Sequence, residues 1–266
     1  MDVTRRWSVL GRHGLQLYGG APGLVGWASE HAFAILTGEP NLDLNICGLF
    51  GDPNVAELGA LLAVVDRVAA PTVIATSVSA DPTARKRLPA AGFDSLGPEA
   101  VMWRAPMPVE AIPGPFDVRR ATDERDIAAA GRMIAAARGT APDLVDRVFN
   151  LDAWRAGTIG CWIAFDGMEA ASAAWLTTGE GFLGVWEMVT SPLHRRRGAA
   201  RAALTAAMAE MQEQGPEGTV LWASPLGQPL YEALGFVTFD HVVPWVRGGT
   251  DEELALIGAS RIVTAG

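Results

Sequence analysis

A proline-rich segment divides this chain of 266 residues into two halves that are predicted to contain the same order of helices and strands. Residues 105–115 include four prolines and one glycine, which hold the backbone extended and disfavour a helix. A chain of this length can fill one large hydrophobic core or two ordinary ones. We therefore predict a first domain at 1–104, a linker at 105–115, a second domain at 116–247 and a C-terminal tail at 248–266.

Each half is predicted to contain a helix, a buried strand, a short helix that ends in a turn of small residues, and a further strand. In the first half, apolar spacing places these elements at 55–69, at 72–76, before 90–93 and at 100–103. In the second half it places them at 199–211, at 219–223, before 233–236 and at 239–246. Because the order is repeated, we predict a tandem duplication.

The second half carries additional elements before its long helix. The sequence predicts a strand at 116–122, helices at 126–136 and 143–149, and strands at 160–165, 170–176 and 182–190. This order predicts an α+β fold in which each domain has a mixed, mostly antiparallel sheet flanked by helices. The first copy lacks the additional elements, so we expect it to be truncated.

Composition and charge exclude several classes of function. The net charge of -9 argues against a nucleic-acid partner, because phosphate neutralisation needs a basic surface. No apolar run approaches the length of a membrane span, and no export signal is recognised, so we expect a cytoplasmic protein without a membrane partner. The two cysteines, Cys47 and Cys161, are far apart and form no metal-ligand pattern, so we predict no metal.

A run of three arginines lies where a predicted strand leads into the long helix of the second half. Arg195, Arg196 and Arg197 precede Gly198, and small residues open the helix at Ala199. A helix N-terminus presents unpaired N–H groups and partial positive charge, and arginine adds charge-assisted donors. This pattern predicts a phosphate-binding loop. The alternative is an ordinary connection with solvated arginines.

These residues resemble the acetyl-CoA loop of the GCN5-related N-acetyltransferase (GNAT) superfamily, which reads Gln/Arg-x-x-Gly-x-Gly/Ala. Arg195, Gly198 and Ala200 occupy its three defining positions. A second stretch, residues 224–236, resembles the family's helix Asn-x-x-Ala-x-x-Leu-Tyr-x-x-x-Gly-Phe. It matches at Leu230, Tyr231, Gly235 and Phe236, and departs at Ser224 and Gly227.

The resemblance implies two GNAT-like domains and an enzyme that transfers an acetyl group from acetyl-CoA to a primary amine of a small molecule. The amine attacks the thioester directly in a ternary complex, and Tyr231, with an ordinary pKa near 10, protonates the leaving thiolate. Glu187 is the candidate base, although a paired or solvent-facing Glu187 is equally consistent with the sequence. The implied cofactor-binding residues are Met188, Val189, Thr190, Arg195, Arg196, Arg197, Gly198, Ala199, Ala200 and Ser224.

The first half lacks both motifs. Residues 48–53 align with the arginine loop but contain no arginine and add Asp52, while Leu88 aligns with Tyr231. We therefore expect a catalytically silent copy that pairs with the second half within one chain, so that the protein is a monomer. The rival hypothesis, favoured by the altered Ser224 and Gly227, is an acyl-CoA-binding module without turnover. The resemblance also implies that residues 134–143, the acceptor region, shape the site for the acceptor amine. These residues contain nothing diagnostic of that amine.

Overall fold

The computed structural model describes residues 2–53, 55–80, 82–112 and 114–256. Pro113 of the predicted linker and residues 257–266 of the predicted tail lie outside these ranges. The chain folds into two compact units. Unit 1 contains the residues up to Tyr18, Pro22–Trp103 and those from Trp222 onward, and unit 2 contains Gly19–Ala21 and Arg104–Leu221.

The first half of the chain supplies most of unit 1. Its helices are α1 (Val3–Leu17), α2 (Val55–Val68) and α3 (Thr83–Arg87). Its strands are β1 (Val25–Ala28), β2 (Ala32–Leu36), β3 (Asn45–Leu49), β4 (Thr72–Ser77), β5 (Asp94–Ser95) and β6 (Glu99–Arg104). The elements from α2 onward agree with the sequence prediction, whereas α1 and the first three strands were not predicted.

The second half contains the elements that the sequence predicted, together with two further short helices. Its strands are β7 (Asp117–Arg120), β8 (Ile159–Asp166), β9 (Glu169–Gly179), β10 (Phe182–Thr190), β11 (Gly218–Ala223) and β12 (Val237–Arg247). Its helices are α4 (Glu124–Arg138), α5 (Leu144–Val148), α6 (Leu151–Arg155), α7 (Ala199–Met211), α8 (Gln228–Ala233) and α9 (Asp251–Leu256). The unpredicted helices are α6 and α9.

Unit 1 is built on a sheet with the strand order β1-β2-β3-β4-β12-β6, in which β5 also pairs with β12. Only β3 and β4 are parallel, and the other neighbours are antiparallel. Helix α2 covers one face through Leu61 and Val65, which are fully buried with Cys47 and Ile74 of the sheet. Helix α1 buries Trp7, whose ring stacks on that of Phe50 with centroids 5.4 Å apart.

Strand β12 explains why the compact units differ from the predicted division at residues 105–115. It is the last strand of the second half, yet Val242 to Arg247 pair in register with Ser77 to Thr72 of β4. Its other edge pairs with β6, from Val237 opposite Trp103 to Val242 opposite Glu99. Residues from Trp222 onward therefore pack with the first half, because a strand joins the unit that satisfies its backbone hydrogen bonds.

Unit 2 has the strand order β11-β10-β9-β8-β7, with only β10 and β11 parallel. The mostly antiparallel sheets predicted for both halves are thus confirmed. Helix α7 packs across β8 and β9, and Trp162 and Trp175 fill the core. Helix α4 begins where the side chain of Asp123 accepts a hydrogen bond from the backbone of Asp126, and it ends at Gly139, whose φ is 64°.

The proline-rich segment contains no helix or strand in its described part, residues 105–112. The backbone N–H and C=O of Val109 each form a 2.9 Å hydrogen bond with the side-chain amide of Gln212. Arg104 donates to the carbonyl oxygens of Met107 and Pro108 at 2.9 and 3.3 Å. The segment is therefore held against unit 2 by these hydrogen bonds.

Candidate functional site

The parallel strands of unit 2 separate halfway along their length. Three residue pairs join β10 to β11, and the last of them is Gly184 with Val220. On its other edge β10 continues to pair with β9 as far as Thr190 opposite Ser172. The ladder between β10 and β11 thus stops six residues before β10 ends. Beyond Gly184, that edge of β10 is not in register with β11.

A β-bulge bends β10 at this place. Trp186 is opposite Trp175 and Val189 is opposite Ala173, so three steps along β10 match two along β9. Glu187 lies inside the bulge with a φ of 43°, which is unusual for a residue other than glycine. Such a conformation costs on the order of 1–3 kcal/mol and is commonly found at functional sites. Bulges likewise re-aim side chains next to active sites.

The carboxylate of Glu187 is held by Arg138, the last residue of α4. Arg138 Nη2 donates to both oxygens of Glu187 at 2.8 Å, and Nε donates to Oε2 at 3.3 Å. The side chains are only 4% exposed for Glu187 and 16% exposed for Arg138. Of the alternatives that the sequence left open for Glu187, the structure therefore shows a paired carboxylate.

The arginine loop follows β10 and leads into α7 as predicted. Gly198 is the residue before the helix, has a φ of 92°, and provides no side-chain cap for the first turn. A Cβ atom at Gly198 would meet no heavy atom within 4 Å, so the space in front of this helix end is open. Arg196 also has a positive φ, 62°. The N–H groups of the first turn can therefore receive an anion.

The three arginines of the loop have different environments. Arg197 Nη2 lies 2.9 Å from Asp166 Oδ2, and its guanidinium lies 5.7 Å from the ring centroid of Phe116. Arg195 and Arg196 are exposed. Since Arg197 is tied to the turn between β8 and β9, it is suited to holding the loop in place, while the other two can turn toward a bound phosphate.

His194 lies beneath the loop rather than on its surface. Its side chain is 5% exposed, with Nε2 3.4 Å from Asp166 Oδ2 and the ring edge-on to Phe116 at 6.4 Å. Its Nδ1 has no hydrogen-bond partner among the described residues. His194 therefore packs against Phe116 beneath the loop.

Ser224 and Gly227 differ from the family pattern in a way that the local structure explains. The Ser224 side chain accepts a hydrogen bond from the backbone N–H of Gly227 at 3.2 Å and so supports the start of α8. A Cβ atom at Gly227 would lie 3.0 Å from the ring of Tyr231. Glycine therefore allows the tyrosine ring to pack against this turn.

Tyr231 is buried in unit 1, with its ring edge-on to that of Phe236 at 5.8 Å. Burial raises the pKa of its hydroxyl group well above the ordinary value of 10. The group therefore remains protonated at neutral pH and can donate a proton. The predicted site residues are thus divided, because Ser224 and Tyr231 belong to unit 1 whereas the arginine loop and Glu187 belong to unit 2.

The corresponding strands of unit 1 do not separate. Strands β3 and β4 remain paired from Ile46 opposite Val73 to Leu49 opposite Thr76, which is the end of β3. Leu88, which aligns with Tyr231, is completely buried and carries no acidic proton. The first half therefore lacks the strand separation, the arginine loop and the hydroxyl group found in the second half.

Sequence reasoning missed Arg138 and Asp166. Neither lies in a motif: Arg138 was named only within the acceptor region at 134–143, and Asp166 lies between two predicted strands. A signal was present for Arg138, because an arginine directly before a helix-ending glycine is positioned by that cap. Its partner, 49 residues away, could not be identified from the sequence.

No helix of the described part of the chain is long and apolar enough to cross a membrane. Within the same ranges, no group of three or more His, Cys, Asp or Glu side chains is arranged to hold a metal ion.

Comparison with known proteins agrees with the fold. Residues 132–236 match the model of the acetyltransferase (GNAT) family. The matched part includes Glu187, the arginine loop and Tyr231. No curated protein sequence matches the chain significantly.

Solved structures of similar fold cover nearly the whole chain. A GCN5-related N-acetyltransferase from Kribbella flavida is 16% identical, with a TM-score of 0.68 over 94% of this chain and 97% of its own. A GCN5-related N-acetyltransferase from Sphaerobacter thermophilus is 16% identical, with a TM-score of 0.57 over 84% and 79%. A tandem GNAT protein from the clavulanic acid biosynthesis pathway is 13% identical, with a TM-score of 0.56 over 93% and 96%. The chain thus has the fold of two GNAT-like units.

Proposed function

We propose that this protein is an N-acetyltransferase that uses acetyl-CoA to acetylate a primary amine of a small molecule by direct attack in a ternary complex. The observation that carries the proposal is the separation of β10 from β11 after Gly184 and Val220, directly before a loop suited to anions. A pantetheine arm can hydrogen bond along the freed edge of β10 while the pyrophosphate lies at the start of α7.

The proposed cofactor site has three parts. Backbone groups of Met188, Val189 and Thr190 would receive the pantetheine and the thioester carbonyl. Arg195, Arg196 and the N–H groups around Gly198, Ala199 and Ala200 would bind the pyrophosphate, with Arg197 holding the loop through Asp166. Ser224, which departs from the family pattern, remains a proposed cofactor-binding residue, although its hydroxyl already accepts a hydrogen bond from the backbone of Gly227.

In the proposed reaction, Glu187 accepts a proton and Tyr231 donates one while the acetyl group is transferred. The acceptor ammonium group gives a proton to Glu187, directly or through water, and the amine nitrogen then attacks the thioester carbon. The C–S bond breaks, and the thiolate takes a proton from Tyr231. Glu187 releases its proton to solvent, and the tyrosinate is reprotonated by the second proton that the new amide nitrogen loses, so the net products are the amide, CoA thiol and one proton.

A second candidate function is an acyl-CoA-binding module without turnover. The observation in its favour is that both oxygens of Glu187 accept hydrogen bonds from Arg138, so neither is available as a base in this arrangement. A thiol-release assay with acetyl-CoA and a panel of amines separates the two candidates. Amine-dependent release supports the enzyme, whereas stabilisation by CoA without release supports the module.

We further propose that the protein is a monomer. We also propose that the acceptor is a small molecule. The reason to expect a monomer is that one chain already has the fold of two GNAT-like units. Analytical ultracentrifugation with and without CoA tests the oligomeric state. A stable dimer at micromolar concentration contradicts it.

A further inference from the structure

The structure points to a specificity-determining role for Arg138, and we propose that the acceptor is an amine that also carries a carboxylate, such as an amino acid. This inference rests on the proposed function and names the substrate class for the same site. It begins from the buried bidentate pair between Arg138 and Glu187.

The pair is poorly explained as a device for stability. Burying two charges costs desolvation that their attraction often only offsets, and apolar side chains of similar size usually serve a core as well. In addition, Glu187 occupies a left-handed backbone conformation inside the bulge. The buried charge pair and the left-handed backbone at Glu187 are both unfavourable for folding. Unfavourable features that occur together at one residue are typical of functional sites.

The pair also lies at the proposed reaction centre. Glu187 is on the part of β10 that extends beyond Gly184, its last residue paired with β11. Arg138 is the last residue of α4 and begins the connection to α5. Two residues further on, the hydroxyl oxygen of Thr140 is buried without a hydrogen-bond partner among the described residues. An orphaned polar atom in this segment indicates that a polar ligand group is expected there.

The charges favour one kind of acceptor. A polyamine would bring two or more positive charges to a carboxylate that Arg138 has already neutralised, which is unfavourable. An amino acid brings its own carboxylate, which the planar guanidinium can bind in the same bidentate manner. The acceptor would then take over N–H donors from Glu187 and leave a Glu187 oxygen free to accept the ammonium proton. Base and acceptor are thereby coupled, because Glu187 is released only when the correct substrate is bound.

The overall charge of the chain is compatible with this choice. A net charge of -9 attracts an ammonium group. An amino acid carries both an ammonium group and a carboxylate. The net negative charge of the protein attracts the ammonium group, and Arg138 binds the carboxylate.

The test compares matched acceptors with the full chain and acetyl-CoA. Thiol release is measured with a panel of L-amino acids, with their amides, and with putrescine. We expect kcat/KM to be at least about 10²-fold higher for the best amino acid than for its amide, because the amide leaves the guanidinium without its charged partner. Equal or better turnover of amides or putrescine overturns the inference while the proposed function stands.

Variants add a second readout. Arg138→Lys keeps the positive charge but loses the planar fork, so the preference for acid over amide should fall at least about tenfold. Arg132→Lys, an exposed position on the same helix, should leave the preference unchanged. CoA binding measured by calorimetry shows that each variant is folded. An unchanged preference in Arg138→Lys contradicts the role of Arg138, and CoA binding without turnover of any amine removes the enzyme proposal and this inference together.

Discussion

Leu49, the last residue of β3, is paired with Thr76 of β4. The equivalent parallel pair of the second half ends at Gly184 and Val220, well before β10 does. The two halves therefore share an element order but differ in how far their parallel strands stay paired. A closed ladder satisfies its own backbone groups, while an open one leaves them for a ligand.

We predict that one CoA binds per chain and that it binds in the second half. Unit 1 keeps β3 and β4 paired to the end and has Asp52 where the second half has arginines, so it offers neither a gap nor a positive charge. Isothermal titration should give a stoichiometry near one. Two equivalent sites per chain would show that the closed strand pair opens for a ligand.

Replacing Gly198 with Glu should abolish stabilisation by CoA. The position is surrounded by open space, so the glutamate fits without a clash and instead fills the anion position with a negative charge. The positive φ of 92° adds strain of about 1 kcal/mol to the variant. Thermal unfolding with and without CoA measures the effect.

Gly215→Glu is the matched control for this variant. Gly215 also has a positive φ, 68°, and open surroundings, but it lies at the other end of α7. Both variants introduce the same side chain into similar backbone, and only the one at the helix start should lose CoA binding. CoA affinity that is unchanged in Gly198→Glu would falsify the proposed location of the pyrophosphate.

Tyr231→Phe should lower turnover by roughly 10²-fold or more, since loss of general-acid assistance has an effect of this size. Acetyl-CoA affinity should hardly change, because the hydroxyl acts as the transition state breaks down. Burial raises the pKa of Tyr231, so in the wild-type protein its contribution should persist above pH 10. Steady-state kinetics from pH 7 to 10.5 test both statements.

Tyr18→Phe removes the hydroxyl of the chain's other tyrosine, which is also buried in unit 1. It controls for the effect of losing a buried hydroxyl on folding, and kcat should be retained. If Tyr231→Phe loses CoA binding together with activity, Tyr231 is a packing or ligand-contacting residue and the acid must be sought elsewhere.

Glu99→Gln should stabilise the protein at pH 8 and not at pH 4. Burial is the main reason that the pKa of Glu99 is raised from 4.5 to about 7, while the hydrogen bond from Trp222 Nε1 opposes the shift. As pH rises from 4.5 to 7, the unfolded chain loses this proton and the folded chain keeps it, so stability falls across that window. Above pH 7 the ionised carboxylate remains as a penalty, on the order of 1–3 kcal/mol.

Glutamine keeps an oxygen that can accept the Trp222 hydrogen bond but cannot ionise. Differential scanning calorimetry of the wild-type protein and Glu99→Gln at pH 4, 6 and 8 should show a difference that grows with pH. Glu30→Gln, an exposed carboxylate of the same unit, supplies the control. Parallel pH dependence in the wild-type protein and Glu99→Gln contradicts the prediction.

Local patterns made a large part of this protein predictable. The apolar spacing of residues 199–211 and the small residues after the arginines gave helix α7 to the residue, because helix periodicity and termini are encoded within one or two turns. The strands before residue 55 were not assigned, since β1, β2 and β3 have only four or five residues each. Short strands of this kind are defined by their neighbours.

The sequence by itself determined the duplicated element order, the arginine loop before Gly198 and the absence of such a loop near Asp52, all of which depend on residues close together in the chain. Only the tertiary structure decided that β12 pairs with β4, that β10 leaves β11 after Gly184, and that Arg138 holds Glu187. These features join residues from 36 to about 170 positions apart. Such contacts depend on which edges and charges remain unsatisfied after the local elements have formed, and no local pattern specifies that choice.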